Sequence, residues 1–269
     1  MEVLLGVFVA CIIAVALLKT MEYSIDYVGN NLISLYQKLL LSFYKLSPYE
    51  LSILTKYFEF YNSISHADKS TFEQKVARFI RVKSFVVRGG LLEVSDEQKI
   101  LIAACGVQIT FGFPDVFLRH YRTIILYPEV CLLTIIGKPQ QSEFNFHGVM
   151  ILSWTNFIRD YDGFNKRKNL GLHEMALALI CENKIANEEF DYLSIQSLHR
   201  LSMLMKDFNT NLIHQLFGIY ALKNVHEFFA VSVKIFFERP EILRTISVHL
   251  YREMVTILRQ DPLGNSLKY

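Results

Sequence analysis

Residues 170–179 read LGLHEMALAL, an apolar run interrupted only by His173 and Glu174. A helix of this composition has no polar face to offer water, so it belongs inside a core. Two ionisable groups in its middle then need partners, because an unpaired buried charge is costly. A zinc-peptidase helix would read H-E-x-x-H. Its two imidazoles, one turn apart, grip the metal while the Glu activates a bound water. Here the second His position is Leu177. On spacing alone the pair is a weak sign of metal, and the same dipeptide recurs at His226–Glu227. The alternative is a core His–Glu pair held by ordinary hydrogen bonds.

The rest of the chain is built to surround such a helix. Of 269 residues, 52% are hydrophobic and 13% aromatic, enough for one large core. Helices are expected over 23–44, from Ser47 and Pro48 to about 62, over 70–82 with a first turn at Thr71–Gln74, and from SDEQK at 95–99 to about 110. RGG at 88–90 breaks the pattern. IILY at 124–127, CLLTII at 131–136 and GVMILSW at 148–154 read as strands. Beyond the 170–179 helix the chain reads helical over 192–208, 211–220, 225–237 and 240–260. There is no repeat and no linker, so the order fits a single α+β domain, mainly helical with a small sheet.

Lys+Arg number 28 against Asp+Glu 26, a net charge of +2 that gives no basis for nucleic-acid binding. The four cysteines, Cys11, Cys105, Cys131 and Cys181, form no CxxC pair and read as reduced, packed thiols. Residues 3–18, VLLGVFVACIIAVALL, carry no charge and would span ~24 Å as a helix. Their length is just short of a usual membrane span. Only Glu2 precedes them and Lys19 follows, which favours a single-pass membrane anchor with the body of the chain in the cytoplasm. A cleaved signal, with AVA at 14–16 as its site, and a buried helix are the alternatives. NKRK at 165–168 is a solvated loop or a contact to anionic lipid. Trp154 and the stripe Phe228, Phe229, Phe236 and Phe237 read as packing. Tyr220 and Glu227 lie seven apart and share a face if their helix is continuous.

In linked order, GVMILSW (148–154), NLGLHEMALAL (169–179) and YALKNVHEFFAVSVKIFFERPEIL (220–243) resemble the Mlc titration factor A family. So do GGLLEVSDEQKILIAACGVQITFG (89–112), YRTIILYP (121–128) and LYREMVTILRQDP (250–262). The resemblance covers about 49–262 and implies a bacterial source and a compact, gluzincin-like zinc-metallopeptidase fold. It suggests an order of membrane anchor (1–20), juxtamembrane helix (21–48), peptidase domain (49–262) and short tail (263–269). Characterised members act as peptidases and bind and inactivate a sugar-responsive transcriptional repressor. The matched motifs do not carry that partner surface, so a transcriptional regulator is an expectation by analogy alone.

By the resemblance, His173 stands at the first zinc ligand, Glu174 at the catalytic base, Glu227 at the third zinc ligand and Tyr220 at the active-site Tyr. That Tyr would stabilise the oxyanion of a tetrahedral intermediate. The chain departs from the family at Leu177 in place of the second zinc His, Ile180 in place of an Asp, and Lys234 in place of a later Glu. A catalytic zinc takes three protein ligands, and this set supplies two. His147, His199, His214 or His226 could enter as a replacement, or water could complete a weak site. The expectation is a degenerate relative with doubtful zinc occupancy that binds a protein or peptide partner. The alternatives are an active zinc (amino)peptidase with a rearranged ligand set, and a structural membrane protein without a ligand.

Overall fold

A computed structural model describes residues 45–90, 93–113, 118–128, 143–144, 148–158, 170–185, 193–207, 217–218 and 221–264. Two helices occupy the centre. The first is α4 (Asp96–Thr110), whose residues from Ile100 to Thr110 are all buried. Ser95 and Gln98 close a reciprocal capping box at its start. At its end Gln260 Nε2 donates to the carbonyls of Gln108 and Ile109, and Lys75 Nζ to those of Phe111 and Phe113. The last turn of a buried helix is thereby satisfied. The second central helix is α6 (Leu170–Ile185).

Around α4 pack α1 (Pro48–Tyr57), α3 (His66–Val82) and α6. The expected helix from 48 to 62 is broken at Phe58, whose extended backbone separates α1 from α2 (Glu59–Ser63). The Phe58 side chain is buried against Phe72, ring centres 6.1 Å apart. Helix α3 starts before the expected 70, because Ser65 caps it by accepting from Asp68 N–H.

The sheet has the order β1 (Ser84–Val87), β2 (Thr123–Tyr127), β4 (Val149–Ser153), β3 (Glu143–Phe144). The first three strands are parallel and β3 is antiparallel at the edge. The register sets Ile124 beside Met150 and Leu126 beside Leu152, and all four are buried on one face. Strands β2 and β4 match the sequence reading, whereas β1 and β3 were not foreseen. The strand expected at 131–136 lies outside the described residues. Trp154, read as the end of a strand, opens the short helix α5 (Trp154–Ile158) and stacks on Phe157 at 5.6 Å.

Further described helices are α7 (Ile195–Asp207), α8 (Val225–Glu238), α9 (Pro240–Ile246) and α10 (Val248–Leu258). Helix α8 packs along α6 and also meets α7. Phe228, Phe229 and Phe236 are fully buried, as packing requires of the aromatic stripe. The expected 240–260 helix is two, because Ser247 takes an extended conformation and caps α10 by accepting from Leu250 N–H. These elements make a mainly helical α+β unit over Leu46–Tyr269.

The proposed anchor (1–20) and most of the juxtamembrane segment (21–48) lie outside the described residues. Among the described residues no helix is long and apolar enough to cross a membrane. Lys45–Ser47 are not helical and Pro48 opens α1. Cys105 and Cys181 are not in disulfides, and Cys11 and Cys131 lie outside the described residues.

Candidate functional site

Helix α6 can enter the core because Gly171 lets it. A Cβ there would stand 2.7 Å from Cys105 Sγ on α4 and 2.8 Å from the Phe157 ring on α5. At the other end, both oxygens of buried Glu182 accept the His120 N–H at 2.9 Å, tying α6 to the turn that leads into β2. Lys83 Nζ reaches the same turn, donating to the carbonyls of Leu118 and Tyr121 at 2.5 and 2.7 Å. Burial pushes the Lys83 ammonium down to about 7, against the opposing pull of Glu182. Burial also raises the Glu182 carboxyl, against that backbone hydrogen bond and the charge of Lys83. None of these anchors stood out in the sequence. A lysine wedged between a helix and a strand was the available signal.

Held at both ends, α6 presents His173 to α8. His173 Nε2 lies 3.0 Å from Glu227 Oε2, and its Nδ1 lies 3.7 Å from Glu174 Oε1. The first contact is a hydrogen bond. The second is too long for one and acts through charge alone. Burial disfavours the imidazolium, but the two carboxylates outweigh it and hold His173 up to about 9. The metal-free pair is therefore an imidazolium between two acids. The side chains of His173 and Glu227 keep 20% and 14% of their exposure, so a small ligand can reach them.

Glu174 is only 6% exposed, and its Oε2 is buried without a hydrogen-bond partner. An orphaned carboxylate oxygen beside a His–Glu pair can accept from a water or from a ligand N–H. Glu227 is the third residue of α8, where the helix N-terminus favours its negative charge. Asn224 caps that helix by accepting from the N–H groups of both His226 and Glu227.

The structure thus brings His173, Glu174 and Glu227 together. Tyr220 lies outside the described residues, as do His147 and His214. Leu177, one turn after His173, is half-buried and packs against the core. Ile180 is buried in that core. Lys234 is half-buried on α8, seven residues beyond Glu227. His199 is exposed on α7 and His226 sits in the first turn of α8.

Two donors at ~2.0–2.1 Å from a tetrahedral zinc stand ~3.3 Å apart, so the His173–Glu227 separation is near what a shared cation requires. Among the described residues no group of three or more His, Cys, Asp or Glu side chains is arranged to hold a metal ion. Among the described residues His173 and Glu227 supply two of the three protein ligands that a catalytic zinc takes.

A buried helix carrying His-Glu, joined by a Glu from the first turn of a second helix, is the core of a metallopeptidase-like site. The chain belongs to the glucose-regulated metallo-peptidase M90 family, whose model matches residues 34–259. This is the family to which the Mlc titration factor A resemblance pointed, and the match starts upstream of the expected 49. The chain is also similar to the uncharacterized protein slr2042 of Synechocystis sp., with 24% identity over 240 residues, covering 82% of this chain and 86% of that one.

Proposed function

We propose that this is a membrane-anchored member of the family whose metal site has lost a ligand. The surface around His173 and Glu227 then serves to bind a protein or peptide partner, and proteolysis is weak or absent. The observation that carries this reading is Leu177. It stands where the second imidazole would be, packs against the core and has no atom that can coordinate. Ile180 and Lys234, in place of an acid at each position, fit the same drift away from metal chemistry. The direct His173–Glu227 hydrogen bond gives the site a stable metal-free form. The anchor is the uncharged run 3–18 followed by Lys19.

A second reading, an active zinc-dependent peptidase with a rearranged ligand set, draws support from Glu174. Its buried and orphaned Oε2 is poised as a general base would be. The metal content of the purified full-length chain separates the two. The degenerate reading expects far less than one zinc per chain and no chelator-sensitive peptidase activity. Stoichiometric zinc, removed by chelator together with aminopeptidase activity, overturns it.

A further inference from the structure

Among the described residues, two helices begin with a closed capping box. Ser47 Oγ accepts the Glu50 N–H at 3.3 Å, and Glu50 Oε2 accepts the Ser47 N–H at 2.6 Å. Ser95 and Gln98 repeat the arrangement at 3.2 and 3.0 Å. In both, the third residue of the helix turns its side chain back to its own cap. Helix α8 has the same opportunity, with Asn224 at the cap and Glu227 third. It does not take it. Asn224 Oδ1 accepts from His226 N–H at 3.0 Å and from Glu227 N–H at 2.9 Å. The Glu227 carboxylate instead crosses to His173 Nε2 at 3.0 Å.

We propose that Asn224 is a positioning residue for the His173–Glu227 pair. By taking two first-turn N–H groups on one carboxamide oxygen, it relieves Glu227 of the capping role and leaves that carboxylate to face α6. The serine caps of α1 and α4 show the alternative. A serine hydroxyl is shorter, accepts in both cases from the third N–H only, and is completed by the third side chain. Asn224→Ser would turn the start of α8 into S-x-x-E, the sequence of a closing box. Glu227 would then have a competing partner one turn away on its own helix, and the pair across the helices would open. Asn224→Asp keeps an oxygen where Oδ1 stands and should keep the pair. This assignment rests on the reading of Glu227 as a site residue, but not on metal being bound.

The test is a double-mutant cycle on unfolding of the full-length chain at pH 7 in excess EDTA, using His173→Gln and Glu227→Gln. It is run in the parent and again with Asn224→Ser and Asn224→Asp. Parent and Asn224→Asp should show coupling of about tenfold in the unfolding constant. Asn224→Ser should show none, with overall stability lower by no more than that same tenfold, because Ser and Asn are equally good caps. Should Asn224→Ser fail to fold, Asn224→Gly removes the same acceptor, is a tolerable cap, and is read in the same way. Coupling in Asn224→Ser or Asn224→Gly equal to the parent's overturns the proposal, as does a parent with no coupling. A chain that proves to bind no zinc would leave this result untouched, so the two readings fail separately.

Discussion

His173 Nε2 on α6 and Glu227 Oε2 on α8 meet at 3.0 Å across 54 residues of sequence. The contact joins two packed helices, and it sets the charge of the site. In the metal-free chain the imidazole keeps its proton up to about 9.

The pair should leave a pH signature. The folded imidazole titrates above its unfolded value of about 6.5, so its contribution is fully present below pH 6.5 and is lost as pH rises through 9. The upper limit is ~3 kcal/mol. Lys83 acts in the opposite sense. Its depressed value, about 7, means that its buried charge costs stability below pH 7, and the cost fades as pH climbs toward 10.5. The measurement is therefore a difference. Urea unfolding of the wild type minus His173→Gln, in EDTA, should fall steadily between pH 6.5 and 9. A flat difference would show that the pair does not form.

Gly171→Ala should destabilise the chain by ~1–3 kcal/mol, through overpacking against Cys105 and Phe157. Thermal or urea unfolding checks this. A neutral result would mean that α6 sits further from α4 and α5 than described, and the position of His173 would need revision.

Lys83→Met removes the donor from two backbone carbonyls and the nearest cation from Glu182. A loss of ~2–4 kcal/mol is expected from the stranded groups. Adding Glu182→Gln should cost less than the sum of the two single changes, because both belong to one network. Strict additivity would contradict the coupling between them.

The anchor is testable by fractionation. The full-length chain should stay with membranes through an alkaline carbonate wash, and a chain starting at residue 21 should be released. Release of the full-length chain by the same wash would remove the anchor from the proposal.

Local signals in the sequence found much of the scaffold. Ser47 with Pro48, and SDEQK at 95–99, marked helix starts, and the largely apolar stretch to about 110 marked a helix. The breaks at Phe58 and Ser247 were not visible, because apolar periodicity runs through both with no Gly or Pro at the break. Strand β1 was missed because only Lys83 separates four strand residues from a long helix. The pairing of His173 with Glu227 is a contact between distant segments, and no local pattern encodes it. It was reached only through the linked family motifs. Asn224 was missed because its part is played through Glu227.

The most direct measurement is zinc affinity, by competition with a chromophoric chelator, for the wild type and for Leu177→His. If the site is a two-ligand remnant limited by Leu177, the wild type should bind weakly and the substitution should tighten binding by ~100-fold or more, the scale of a regained ligand. Tight stoichiometric binding by the wild type, or no gain from Leu177→His, would contradict it.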